Sequence, residues 1–138
     1  MTRCLLSLVV LTGLWGAALP LSAQAASTSA SQTYPARLLP AQSLRGELVV
    51  TAPPQALLNG KSVQLAPGAR IRGQNNMMVM SGQAIGQKLV VNYTADIYGL
   101  LMDVWILRPD EVERRWPKTQ EEAAKWHFEP QTQTWTKP

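Results

Sequence analysis

Between residues 44 and 107 the chain is built of short apolar runs separated by turn signals, and the runs alternate with the two-residue period of strands. "GELVVTA" (46–52) is rich in β-favouring residues and stops at Pro53-Pro54. "QALL" and "KSVQL" flank Asn59-Gly60, the dipeptide best suited to a two-residue hairpin because both of its positions need φ > 0. Pro67-Gly68 predicts a further turn, after which "ARIR" alternates small or apolar with basic positions. "MMVM" follows a polar turn at 73–76. "KLVVNYTA" (88–95) and "GLLMDVWIL" (99–107) are the two longest predicted strands, joined through Asp96-Ile97-Tyr98.

Beyond residue 108 the period changes. "RPDEVERRW" places Pro109 at a first helical position with Asp110 and Glu111 at the positive end of the helix dipole. "TQEEAAKWHFE" offers Thr119 and Glu122 as a capping box, Glu121 and Lys125 as an i,i+4 pair, and Pro130 as a stop. "QTQTWTKP" has no period and reads as a frayed tail. The pattern predicts an all-β fold: a small barrel, OB-like or SH3-like, of five to seven short strands, with one or two short C-terminal helices. The segments expected are a signal peptide at 1–25, a flexible leader at 26–43, the barrel at 44–108, a short helical segment at 109–130 and a tail at 131–138.

The N-terminus determines the expected compartment. Arg3 precedes an uncharged apolar run from Leu5 to Leu19, Pro20 breaks it, and Ala23-Gln24-Ala25 has the small-x-small form of a cleavage site. The run is shorter than the roughly 20 residues a membrane-spanning helix needs, so no transmembrane anchor is expected in the mature chain and the localisation expected is the periplasm. The single cysteine, Cys4, lies before the apolar run. Cleavage after Ala25 leaves no thiol, which removes disulfides, thiolate metal sites and thiol nucleophiles.

Charge adds a candidate surface. From residue 26 to Ala95 the cations Arg37, Arg45, Lys61, Arg70, Arg72 and Lys88 face Glu47 alone. Arg70, Arg72 and Lys88, with Tyr93 and Trp105, are therefore candidate ligand-binding residues of an anion-binding surface; no specific nucleic acid is expected. Catalytic candidates are few. His127, the only histidine, lies near the tail among solvated acids; Asp96 and Asp103 fall in a loop and a strand; and there is no phosphate loop, HExxH or CxxC. The chain is not expected to be an enzyme and no cofactor is expected.

The methionines are the sharpest chemical feature. Met77, Met78 and Met80 stand in four positions. In a strand Met78 and Met80 share a face, where thioethers select Cu(I) or Ag(I), and Trp105 on a neighbouring strand is placed to cover such an ion. Copper is thus the alternative cofactor, on Met78 and Met80. The plainer alternative is that both fill gaps in the core.

Two resemblances bear on this. M-x-M, "GQKLVVNY", a short loop and "LLMDVWIL" are similar over their span to the OB-type periplasmic copper chaperones, which also supply a histidine upstream of M-x-M; no histidine stands there in this chain. "LAPGARIRGQNNMMVMSGQAIGQKLVVNYT" with "GLLMDVWIL" and the acidic "PDE" resembles a group of small exported proteobacterial proteins without an assigned activity, through Pro67, Gly68, Ile71, Arg72, Gly86, Gln87, Asn92, Tyr93, Thr94 and Val104 to Leu107. That resemblance implies a periplasmic β protein and no reaction. The expected function is a non-catalytic periplasmic binding or assembly-support module with a periplasmic protein partner; a Cu(I)/Ag(I) carrier and an anion-binding surface module are the alternatives.

Overall fold

The computed structural model describes residues 36–138. The segment expected to be a signal peptide, 1–25, and residues 26–35 of the expected leader lie outside the described residues. The strands are β1 (Leu44–Ala52), β2 (Gln55–Leu58), β3 (Lys61–Arg72), β4 (Met78–Val79), β5 (Lys88–Ala95) and β6 (Leu101–Ile106). A 3-10 turn, Ser81–Ala84, links β4 to β5. Two short helices follow, α1 (Pro109–Val112) and α2 (Gln120–Lys125), and then a two-stranded ribbon of β7 (His127–Glu129) and β8 (Thr134–Thr136).

β1 pairs antiparallel with β2 and with β5, β2 with β3, and β5 with β6; β6 then runs parallel to β3. Following these pairings from β1 returns to β1, so the sheet closes, and β4 is added at the edge of β3. A closed Greek-key barrel with one parallel seam is the OB-type arrangement, not the SH3-like one. Asn59 (φ 52°) and Gly60 (φ 79°) form the β2–β3 hairpin between the paired residues Leu58 and Lys61, as Asn-Gly requires. Pro67-Gly68 does not reverse the chain. β3 runs through it as one strand of 12 residues. The register with β6 steps from Leu65↔Leu101 to Arg70↔Asp103, so residues 66–69 of β3 stand against Met102 alone and form a bulge. Gly68 supplies the φ of 79°, and Pro67 brings no N–H that the ladder would have to satisfy.

Inside the barrel, Leu48, Val50, Val91, Leu101 and Val104 are fully buried and pack with Leu58, Leu65 and Ile71. Burying each such side chain contributes about 1.5–3 kcal/mol relative to exposure. A second apolar cluster lies outside the barrel: Leu39, Trp105, Leu107, Trp116 and Trp135, flanked by Trp126 and Phe128. Trp116 meets Phe128 and Trp135 edge-on, with centroids 5.7 and 6.1 Å apart.

This second cluster corrects the expected ends of the domain. The tail is not frayed: β8 pairs with β7 and buries Trp135. α2 ends at Lys125 instead of reaching Pro130, because Trp126 and Phe128 turn toward the cluster while His127 and Glu129 stay exposed, which is strand alternation. Thr119 Oγ1 accepts the Glu122 N–H as a cap, but the Glu122 carboxylate reaches Lys118 N–H at 2.7 Å instead of closing the box on Thr119. Residues 36–43 are not free leader either. Leu39 is in the cluster, its N–H donating to Gln133 Oε1 at 2.8 Å, and the Trp116 indole N–H donates to Ser43 O.

Candidate functional site

Among the described residues, a concavity of about 620 Å³ follows the open side of β3. It is lined by Pro53-Pro54 before β2, residues 64–69 and Ile71 of β3, Met78, Val79, Met80 and Ser81, and Leu100. β3 is paired with β2 up to Gln64 and with β4 from Ile71, and residues 66–69 between them have no register with any strand. The groove therefore lies where the bulge parts the sheet. Its lining contains no charged and no aromatic residue.

Met78 and Met80 both line this groove, Met78 from β4 and Met80 from the residue that precedes the 3-10 turn. They do not fill the core: Met78 is 57% and Met80 75% exposed, and Met77 is 66% exposed. The intervening Val79 packs on the barrel interior instead. The sequence placed the two thioethers on one face but gave no sign of which face, and the apolar residue between them takes the inner one.

Trp105 does not cover them. Met78 and Trp105 both flank Arg72 in register, so two strand spacings, roughly 9–10 Å, separate their backbones, and the indole is buried in the second cluster. Tyr93 and Trp105, both candidate ligand-binding residues, are not brought together. Tyr93 is in register with Val104 and packs against the barrel core, whereas Trp105 is in register with Asn92. Burial pushes the Tyr93 hydroxyl above its usual pKa.

The basic residues are dispersed, and most of those named are engaged; Arg72 is half-buried in the row of Met78 and Trp105. Arg70 pairs with Asp103 at 2.9 Å, and Lys88 with Glu47 at 3.3 Å. Lys88 lies four residues along β5 from Asn92, roughly 13 Å from the row that holds Arg72. Arg37 and Arg45 are buried. Arg37 donates to both carboxylate oxygens of Glu111 (2.9 and 2.8 Å), to Gly73 O at 2.7 Å and to Ile106 O. Arg45 donates to Asn92 Oδ1 at 2.8 Å and to the carbonyls of Glu111, Val112 and Arg114 at the end of α1. Burial lowers the Arg45 pKa, while the Glu111 carboxylate acts in the opposite direction. Glu111 also meets Arg108 at 3.1 Å. These groups hold α1 and the N-terminal segment against the barrel.

The carboxylates considered for catalysis are tied to structure. Asp96 Oδ1 accepts the N–H groups of Tyr98 and Leu100, and Asp103 is paired with Arg70. His127 is exposed. Among the described residues no three of His, Cys, Asp or Glu converge as metal ligands. No helix of the described residues is long and apolar enough to cross a membrane.

No protein-family model matches the chain, and comparison with curated proteins and with solved structures returns no significant similarity. The groove itself was not legible in the sequence. It is assembled from four separate stretches, and only the Pro67-Gly68 signal, read as a turn, marked the bulge that opens it.

Proposed function

We propose that this chain is an exported, non-catalytic binding module whose groove takes an extended, uncharged, apolar segment of a protein partner. The observation that carries the reading is the groove along the bulge of β3: its lining is uncharged, it bears two exposed thioethers, and the adjacent backbone is without a strand partner. An extended segment laid there gains main-chain hydrogen bonds at a sheet edge and places alternate side chains in the groove. Methionine suits the wall because its unbranched, polarizable side chain adapts to irregular apolar partners. Nucleic acid is disfavoured, since strand-binding grooves use cations and aromatic platforms and this lining has neither. The leader pattern at 1–25 supports export to the periplasm.

The test is an amide chemical-shift titration with a panel of neutral, aliphatic heptapeptides. Saturable perturbation is expected at 64–69 and 78–81, with Met80→Glu weakening it at least tenfold, about 1.4 kcal/mol. Perturbation absent from those residues, or confined to the α1–β8 face, refutes the reading. A second reading, Cu(I) or Ag(I) carriage, is favoured by one observation, the presence of both thioethers in the lining of one groove. Anaerobic competition for Cu(I) against a chromophoric chelator decides it. No competition in the low-micromolar range is expected; stoichiometric transfer lost in Met78→Leu/Met80→Leu would promote the carrier.

A further inference from the structure

We propose that Met78 and Met80 are a reversible oxidation site that closes the groove to apolar occupants, an inference that rests on the groove being a binding site. Sulfur is confined to few positions in this chain. Cys4 and Met1 stand in the segment expected to be a signal peptide, leaving Met77, Met78, Met80 and Met102 as the sulfur atoms of residues 36–138. Methionine belongs among the residues most often buried, yet all four are exposed here, Met102 the least at 39%. Two of them, Met78 and Met80, line the groove; Met77 and Met102 do not.

The chemistry is a two-electron transfer from thioether to a peroxide. The sulfur lone pair attacks one peroxide oxygen, the S–O bond forms as the O–O bond breaks, and a proton moves from the transferred oxygen to the departing one, which leaves as water. The product is a sulfoxide, polar and chiral, and sulfoxide reductases return it to the thioether. In a core this change disrupts packing. Met78 and Met80 are more than half in solvent, so the new S–O dipole is hydrated where it forms and the barrel interior is untouched. The groove wall changes instead. A hydrated dipole then stands in a lining shared with Leu65, Ile71 and Leu100, and an apolar segment must strip water from it to bind.

The test combines site-resolved oxidation with binding. The protein is treated with graded hydrogen peroxide, sulfoxide at each methionine is measured by peptide mass spectrometry, and binding is followed with the neutral apolar dye N-phenyl-1-naphthylamine and with the heptapeptide panel. Met80, Met77 and Met78 are expected to oxidise before Met102, with an unchanged melting temperature. Dye binding should fall at least tenfold in step with sulfoxide at Met78 and Met80, and recover on treatment with methionine sulfoxide reductases. In Met78→Leu/Met80→Leu, binding relative to its own untreated level should be unmoved by oxidant; Met77→Leu and Met102→Leu should respond like the wild type. Loss that tracks Met77 or Met102, loss that persists in the double variant, or a fall in melting temperature that accounts for it would overturn the proposal. Binding of the dye but of no peptide, with the same sulfoxide dependence, upholds the switch and refutes the peptide reading. Binding of neither refutes both.

Discussion

Glu111 is among the most completely buried side chains of the barrel's outer seam, and its carboxylate is tolerable there because Arg37 supplies two of its hydrogen bonds and Arg108 N–H a third. The same principle governs smaller groups. Asn92, fully buried, is held by Arg45 and by Ser43 Oγ, so the asparagine of the V-N-Y-T stretch is a structural hub. At the Asn59-Gly60 hairpin, Gly60→Ala should destabilise by about 1 kcal/mol, because φ of 79° costs a residue with a Cβ. Asn59→Ala should cost somewhat more, since Asn59 Oδ1 also accepts the Glu47 N–H at 2.9 Å. Equal melting of both variants and the wild type in urea would contradict this. Tyr93 gives a pH dependence. Its folded pKa is raised above the unfolded value of 10.0, so its contribution is complete below pH 10 and is lost as pH rises from there through the folded value. Urea unfolding between pH 9 and 12 should show this loss in the wild type and less of it in Tyr93→Phe.

At the scale of elements, the ribbon β7–β8 is the part whose role differs most from expectation. Trp135 packs against Trp116 and Phe128, with centroids 6.1 and 5.0 Å away. Trp135→Ala should therefore cost about 3–5 kcal/mol, and removal of residues 131–138 at least as much, read as a fall in the urea midpoint. An unchanged midpoint would mean that the ribbon does not hold the second cluster together. The alternation in "WHFE" and "TWT" is visible in the sequence, but three residues of period two cannot outweigh the helical pattern before them. The hairpin at Asn59-Gly60 and the strands at 88–95 and 101–106 were legible because turn chemistry and a long apolar alternation agree there. β3 was legible only in halves, since a bulge carries the same Pro-Gly signal as a turn. The exposure of Met78 and Met80 was not legible, because a two-residue period fixes shared faces and leaves the choice of face to the residues opposite, here Ile71 and Val104.

For the whole molecule, few of the cations behind the formal charge of +4 form a continuous basic surface. Arg37, Arg45 and Arg108 are buried, and Arg70 and Lys88 are paired with acids on adjoining strands. Two apolar clusters, one inside the barrel and one outside, share strand β6, which gives Val104 to the first and Trp105 to the second, and the segment at 36–43 links the outer one to Glu111 and Gln133. The expected mature start at Ala26 keeps that segment. N-terminal sequencing of periplasmic protein should begin within a residue or two of Ala26, and a chain starting at Leu44 should be destabilised by about 3–5 kcal/mol through the broken Arg37–Glu111 pair. Intact Met1 in a membrane fraction, or a chain from Leu44 as stable as the longer one, would contradict these two expectations.

The bond from Leu39 N–H to Gln133 Oε1 spans 94 positions of sequence. A chain delivered from its N-terminus, from a ribosome or through a translocation pore, can close the barrel once β6 has emerged. It cannot complete the outer cluster until β8 has followed. For that interval Trp105, Leu107 and Trp116 present an uncovered aromatic face on an otherwise finished barrel. The order of emergence thus creates a transient sticky stage, and a chaperone that binds aromatic segments would meet this protein there, before its last strand docks and removes the site.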